Sequence, residues 1–458
     1  MKYKPFTYQK NGIKHLLENP CSGLFLDPGE GKTSISLAYL SVLKDKGELS
    51  GALVVMTKNI LDFETWQNEI KKWDEFSEFT YTVLHGKDKL KNLKKNVDIY
   101  FINYEGLFWL FDNRKYLGCN VIILDESSKI KSYSTKRFKL LKKWIADFER
   151  RHILTGTPNP KSYMDLFSQI YFLDAGHTLG KYITHYRNEY FNPTGYKGYV
   201  WEIKKGSDKK IEKKISKLIY RPDKDYLRIP KEKVNDIIIK LNSNIKKKYN
   251  ELENFYYTNI LNDAIVANNA AAATQKLRQF SNGSVYNDTG GITNIHDYKV
   301  NMALEIVEEL QGNSVLIGYE FRSDLEKLLK VFPDAPYIGT RISGKKTSKK
   351  DKISIQRKWN TGDIPILLGQ ISSMAHGLNL QGYGHNIIFY SLVWNLEDYI
   401  QFIRRLRRQG QKKRVNVYRL ICDDTIDFDV INALNEKDRS QKNLLNAMRK
   451  RCFNKYGK

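Results

Sequence analysis

Five short apolar runs, each bounded by turn residues, set the strongest limit on the fold: CSGLFL (21–26), GALVVMT (51–57), VDIYFI (97–102), NVIILDE (120–126) and RHILTG (151–156). They are continuous rather than alternating, so strands built from them need apolar cover on both faces. The stretches between them have helical periodicity. In TSISLAYLSVLKDKG, for example, Ile35, Leu37, Ala38, Leu40 and Leu43 define a mostly apolar face. Continuous strands alternating with such helices imply a parallel sheet with helices on both sides, an α/β lobe.

Runs of the same kind return at SVLIGY (314–319), IPILLG (364–369), HNIIFY (385–390) and RVNVYRL (414–420), so a second α/β lobe follows. From 174 to 235 the pattern breaks into aromatic, Gly- and Lys-rich sequence such as YFNPTGYKGYVW and KKGSDKKIEKKISK. This reads as a connecting or inserted region, and its charge runs equally suit a plain solvated surface. Residues 244–280 read as helical, AAAATQKLRQ being the strongest helix-forming stretch. The expected organisation is a first lobe over 1–173, a connecting insert over 174–235, and a second lobe over 236–458 with the helical insert and a basic C-terminal tail. A chain of 458 residues is long enough for two such cores.

Charge narrows the partners. Lys and Arg number 76 against 51 Asp and Glu, a formal +25 spread over the chain. That balance favours a polyanionic partner, most simply nucleic acid, although it also serves solubility. Hydrophobic residues at 41% supply enough apolar area for real cores and exclude a disordered basic protein. Cys21, Cys119, Cys422 and Cys452 form no CxxC or Cys/His cluster, so neither a disulfide framework nor a zinc module is indicated. MKYKPFTYQK lacks the apolar stretch of a signal peptide and no run of about 18 apolar residues suggests a membrane span, so a cytoplasmic protein with no membrane partner is expected.

LFLDPGEGKTS (24–34) follows a strand and opens a helix, the context a phosphate-binding loop requires. Gly29 and Gly31 let the backbone turn tightly and aim N–H groups inward, Lys32 would reach the β- and γ-phosphates of ATP, and the Thr33 hydroxyl would hold Mg²⁺. The spacing departs from GxxxxGK[ST], because Leu26 stands where the first Gly belongs. An incidental Lys-Thr after a Gly-containing turn is the alternative. NVIILDESS (120–128) weighs against it: an apolar strand ends in two acids, Asp125 for the metal shell and Glu126 to orient or deprotonate the attacking water. Alone, an Asp-Glu after a strand is often only a helix N-cap.

With these residues in view the chain resembles superfamily-2 helicases, specifically the Swi/Snf-like branch of double-strand DNA translocases. TYQKNGIKHL resembles the adenine-reading Gln motif, with Gln9 in the Gln position; DPGEGKT resembles motif I; VVMTKNILDFETWQNEIKKW, motif Ia; LDESSKIKS, motif II; and LTGTPNPKSYMDLFSQIYFL, motif III. Later in the chain SVLIGYEFRSDLEKLL resembles motif IV, SSMAHGLNLQGYGHNIIFYSLVWN motif V and its strand, and QFIRRLRRQGQ motif VI. The resemblance implies two RecA-like lobes in tandem. It also implies coupling residues Thr155, Thr157, Gly377 and Asn379, and DNA-phosphate contacts at Thr57, Lys58 and Ser373. Ser128 stands where relatives usually carry His or Asp, which puts the usual bond between the ATP site and other motifs in doubt. Arg407 stands where many relatives have His.

IQFIRRLRRQGQ (400–411) packs Arg404, Arg405, Arg407 and Arg408 into five positions. A cluster this dense is a solvated face or a nucleic-acid patch on its own terms. The family pattern QxxxRxxRxGQ falls on Gln401, Arg405, Arg408, Gly410 and Gln411. If 398–408 is helical, positions 401, 405 and 408 share one stripe. The resemblance implies that this stripe faces the nucleotide, with Arg405 and Arg408 neutralising charge on the transferring phosphate and Gln401 beside them, while Arg404 and Arg407 point elsewhere. No recognisable chromatin reader, nuclease or zinc module accompanies the motifs, and the compact form resembles small phage or bacterial members. The expected function is an ATP- and Mg²⁺-dependent motor on double-stranded or branched DNA that remodels forks or junctions, alongside replication or recombination proteins. A strand-separating helicase on RNA or tailed duplexes and an ATP-switched DNA clamp are the alternatives, and oligomeric state is left open.

Overall fold

The computed structural model describes residues 1–438 except 28, 157, 159–161, 195–199, 223–228, 256, 261–262, 268–269, 288–290, 341–342, 345 and 375–377. The chain forms two compact units, Met1–Leu227 and Arg228–Glu436.

The first unit begins with helix α1 (Thr7–Glu18), strand β1 (Cys21–Phe25) and helix α2 (Lys32–Asp45), and continues through β2 (Ala52–Met56), β3 (Tyr81–Val83), β4 (Ile99–Asn103), β5 (Val121–Asp125) and β6 (Arg150–Thr155). A hairpin, β7 (Phe191–Thr194) with β8 (Val200–Ile203), precedes β9 (Ile219–Tyr220). Seven of these strands make one parallel sheet in the order β3-β4-β2-β5-β6-β1-β9. The continuous apolar runs are buried on both faces, as two-sided cover demands. Along β2, Leu53 and Val55 join one core while Ala52, Val54 and Met56 join the other. Gly23 sits in the middle of β1 because a Cβ there would lie 2.7 Å from Ile153 on β6 and 2.8 Å from Ile219 on β9.

The second unit holds β10 (Lys233–Ile239), the hairpins β11 (Tyr257–Ile260) with β12 (Asp263–Val266) and β13 (Ser284–Tyr286) with β14 (Ile292–Asn294), then β15 (Val315–Tyr319), β16 (Tyr337–Ile338), β17 (Ile366–Gln370), β18 (Asn386–Phe389) and β19 (Asn416–Cys422). Its parallel sheet runs β10-β19-β18-β15-β17-β16. Two parallel sheets, each with helical cover, are the two α/β lobes that the apolar runs imply, in the tandem RecA-like arrangement that the resemblance implies.

The stretch between the lobes differs from a plain connector. It forms the helices Ile183–Tyr190 and Ser207–Ile215, supplies β9 to the first sheet, and opens β10 of the second. The 244–280 segment is not wholly helical either, since β11 and β12 separate the helices Ser243–Phe255 and Ala270–Ser281. β3, β9 and β16, two or three residues each, are too short to carry a periodic signal. β10 lies at a sheet edge and leaves Val234 and Ile238 exposed, so it lacks a buried-run signature. Among the described residues no helix is long and apolar enough to cross a membrane.

Candidate ATP site and motor elements

β1 leads into the loop that opens α2. Gly29 has φ 90° and Gly31 φ 79°, left-handed conformations that glycine enters without a Cβ penalty. Gly31 is the N-cap of α2, so the free N–H groups of the first helical turn face this loop. The Lys32 ammonium folds onto the loop, donating to the carbonyl oxygens of Leu26 at 2.9 Å and Asp27 at 3.3 Å. Thr33 follows in the first turn of α2. On α1, Gln9 is buried; its amide donates to the Glu30 carbonyl at 3.4 Å and its Oε1 accepts the Phe6 N–H at 3.0 Å. Tyr8 OH donates to the same Glu30 carbonyl at 3.1 Å, and a Cβ on Gly31 would collide with the Gln9 amide. The Gln segment and the glycine loop are therefore one packed body.

Inside the loop the Asp27 N–H donates to Glu30 Oε2 at 2.6 Å. Burial, reinforced by the Asp27 charge, pushes the Glu30 carboxyl up to about 7, against the pull of Arg221 and Lys32. Arg221, just past β9, donates to the Phe25 carbonyl at 2.6 Å and to Asp27 Oδ1 at 3.3 Å.

β5 is parallel to β6 and β6 to β1, so the acids ending β5 share a sheet edge with the glycine loop. The Asp125 carboxylate accepts the Trp66 indole N–H at 2.9 Å. Burial raises its pKa, and the Trp66 bond and the Lys32 charge oppose the rise. Glu126 takes φ 61° and ψ 60°, a left-handed turn uncommon outside glycine. Tyr104 OH steadies that turn, donating to the backbone carbonyls of Asp125 at 3.1 Å and Glu126 at 3.3 Å. Glu126 Oε1 accepts from Thr155 Oγ1, at the end of β6, at 3.4 Å and from Ser128 Oγ at 3.5 Å. Ser128 thus bonds to the carboxylate two residues before it. Its neighbour Ser127 makes the bridge to the helix Leu166–Asp174, donating to Gln169 Oε1 at 2.7 Å, while the Gln169 amide donates to the Pro158 carbonyl at 2.6 Å. Thr157 and Gly377 lie outside the described residues.

In the second unit the expected helix over 398–408 is corrected: it spans Leu396–Ile403 and ends there. The Arg405 carbonyl accepts the Leu380 N–H at 3.1 Å instead of a helical partner, so 401, 405 and 408 share no helical stripe. Arg405 is 4% exposed. Its guanidinium donates to the Leu378 carbonyl at 2.7 Å, to Gln401 Oε1 at 3.0 Å and to the Gln401 carbonyl at 3.0 Å. Arg408 donates to Asn379 Oδ1. Arg407 turns to the start of the unit, donating to the Pro230 carbonyl at 3.1 Å and pairing with Glu232 at 2.9 Å. Asp324, in the helix Arg322–Val331, accepts from Ser391 Oγ at 2.6 Å and from the Phe321 N–H at 2.9 Å, tying that helix to the segment just past β18.

The DNA-contact candidates have local partners. Thr57 caps the helix Lys58–Asp62, Lys58 pairs with Asp62 at 3.1 Å, and Ser373 Oγ donates to Gln370 Oε1 at 2.8 Å. Sequence reasoning missed Glu30, Trp66, Tyr104, Gln169 and Arg221. Glu30, Trp66 and Gln169 stand inside quoted motifs and Tyr104 just past the run VDIYFI, where an acid, an aromatic or a Gln carries no periodic signal; Arg221 lies in the least patterned stretch.

A SNF2-related domain model matches residues 8–287, and a helicase conserved C-terminal domain model matches 298–410. Protein p41 of Acyrthosiphon pisum secondary endosymbiont phage 1 is 31% identical over 473 aligned residues, covering 98% of this chain and 99% of that one. An uncharacterized ATP-dependent helicase of Mycoplasma genitalium is 26% identical, covering 96% of this chain but 42% of its own length. The SWI2/SNF2 ATPase core of Sulfolobus solfataricus in complex with dsDNA aligns at TM-score 0.45 and 22% identity, over 97% of this chain and 93% of that one. The family match extends over most of the chain and takes in the glycine loop and the Asp125–Glu126 turn: the chain belongs to the SNF2-related family of DNA-dependent ATPases.

Proposed function

We propose that the protein is an ATP-driven motor that translocates on double-stranded DNA and remodels branched substrates such as forks and junctions. The observation that supports this reading best is the shared sheet edge: Lys32 sits at the glycine loop, and its charge reaches the Asp125 carboxylate beside Glu126. In this reading Gly29, Gly31 and Lys32 bind the ATP phosphates, Gln9 reads the base, and Glu126 orients or deprotonates the attacking water. Thr155 and Ser128 donate to Glu126 Oε1 and so orient the carboxylate.

The donor set fits Mg²⁺. Among the described residues no group of three His, Cys, Asp or Glu forms a dedicated metal cage. Mg²⁺ characteristically takes only one or two protein oxygens beside phosphates and water. Thr33 and Asp125 would hold it, Trp66 fixing the carboxylate by one oxygen. Bound there, the ion neutralises charge on the phosphates.

Arg405 and Arg408 are proposed to stabilise the transferring phosphate, with Gln401 orienting Arg405. Thr155, Thr157, Gly377 and Asn379 are proposed to couple the nucleotide state to grip on DNA, and Thr57, Lys58 and Ser373 to touch its backbone. Affinity is then largely sequence-independent and falls with salt. Branched DNA is proposed as the substrate by analogy with small phage and bacterial members of the family.

Displacement of a third strand placed at a distance from the loading site tests translocation. ATP-dependent displacement is expected, absent in Lys32→Ala and in Glu126→Gln. ATP hydrolysis without displacement would make the protein a clamp. Activation by single-stranded RNA but not by duplex DNA would make it a strand-separating helicase.

A further inference from the structure

We propose that Arg221 is a positioning residue for ATP hydrolysis, holding the turn from β1 into the phosphate loop from the last strand of the first sheet. This rests on reading residues 26–33 as the ATP phosphate loop.

Arg221 is 2% exposed, among the largest fully buried side chains of the molecule. β9 pairs in parallel with β1, with Gly23 opposite Ile219 and Leu24 opposite Tyr220. Arg221 therefore falls level with Phe25, where β1 ends. Its planar fork engages two points of one turn, the Phe25 carbonyl at 2.6 Å and the Asp27 carboxylate at 3.3 Å, so the strand's end and the acid are held in one plane. The preceding residue grips the other half of the site: Tyr220 OH donates to the Tyr8 carbonyl at 2.6 Å, next to Gln9. The segment leaving the first unit thus bonds to both the Gln segment and the glycine loop.

Charge gives the arrangement its consequence. Asp27 and Glu30 face the loop beside Lys32, with Tyr8 and Gln9 bonded to the Glu30 carbonyl. With Arg221 in place Asp27 has a guanidinium partner, and the Lys32 ammonium donates to the loop carbonyls of Leu26 and Asp27. Without Arg221, the Asp27 carboxylate competes with ATP for Lys32. Lys cannot reproduce the fork, and Gln loses the charge as well.

The test is ATP binding and steady-state hydrolysis by the full chain, in Arg221→Lys, Arg221→Gln, and Arg221→Gln combined with Asp27→Asn. Thermal melts verify folding. A lost hydrogen bond to a charged group corresponds to about 10- to 100-fold. We expect KM for ATP to rise by about that factor in Arg221→Gln and by less in Arg221→Lys, with kcat changed far less, because Arg221 does not touch the reacting atoms. Adding Asp27→Asn is expected to bring KM part of the way back, since the competing carboxylate is gone; a merely structural role would make the double variant worse. Unchanged KM in Arg221→Lys and Arg221→Gln, or no recovery with Asp27→Asn, overturns the proposal. Arg221→Gln failing to fold leaves the decision to Arg221→Lys. Lys32→Ala, measured alongside, tests the loop itself: normal ATP binding and turnover there would overturn the loop reading and the Arg221 role together. A crippled Lys32→Ala with normal Arg221 variants would overturn only the latter.

Discussion

The Ser127 hydroxyl donates to Gln169 Oε1 at 2.7 Å, and both side chains are wholly buried. This bond joins the acid turn to the helix after motif III, a connection that Ser128 had put in doubt. In Ser127→Ala the Gln169 oxygen is left buried without its donor, at a cost of about 1–3 kcal/mol. We expect ATP binding to be kept and stimulation by duplex DNA to fall. Equal loss of basal and DNA-stimulated turnover would place Ser127 in the hydrolysis step rather than in coupling.

The Trp66 indole N–H holds Asp125, one of the two residues proposed to bind Mg²⁺. Replacing Trp66 by Phe keeps the packing and removes the only N–H of the side chain. Outer-shell partners of this kind are worth about 10- to 100-fold in metal affinity. A titration of ATPase rate against Mg²⁺ should move to higher concentration by about 10-fold, with the rate at saturating Mg²⁺ recovered in large part. An unmoved titration would remove Asp125 from the metal shell or Trp66 from its support.

The arginines now separate by burial rather than by helical angle. Arg405→Ala orphans the Leu378 and Gln401 acceptors and should destabilise the second unit by about 3 kcal/mol while lowering turnover. Arg408→Ala should lower turnover with the melt nearly unchanged. Arg407→Ala breaks a half-exposed pair with Glu232 and should cost at most about 1 kcal/mol, with turnover kept. Melts and saturating-DNA ATPase rates of the three variants check this order; loss of turnover confined to Arg407→Ala would reverse it.

Glu30 gives a pH signature. Its carboxyl is raised in the folded protein to about 7 from an ordinary 4.5. A raised folded pKa means that its stabilising contribution is fully present below about 4.5, declines as the unfolded chain alone ionises, and is gone above about 7. Urea midpoints of the unaltered protein and Glu30→Gln should therefore draw apart between pH 4.5 and 7, the unaltered protein losing ground as pH rises. Parallel curves would show that Glu30 titrates normally.

Where the chain is buried on both faces, the sequence was a good guide. CSGLFL, GALVVMT, VDIYFI, NVIILDE and RHILTG overlap β1, β2, β4, β5 and β6, because a two-sided strand must be continuously apolar. The glycine turn into α2 and the acid turn after β5 were legible as local structure, since glycines before a helix start and two acids after an apolar strand mark where the strands end. The arginine segment was not. QFIRRLRRQGQ has no Gly or Pro before Gly410 to end a helix, yet the helix closes at Ile403 and the Arg405 carbonyl bonds instead to Leu380, near it only in the fold. β9 was missed because two residues make no pattern, although Arg221 depends on them.

The pairing of β1 with β9 also constrains how the protein can be made. The strand that leads into the proposed phosphate loop gains its outer neighbour only when residues 219–221 arrive, almost two hundred positions later in the chain. On a ribosome adding about 5–20 residues per second, the earlier strands β2 to β6 can assemble while the edge beside β1 stays unpaired. A nascent chain released at residue 218 should hold much of the sheet and yet fail to retain ATP, so nucleotide capture would mark the moment at which the first unit is complete.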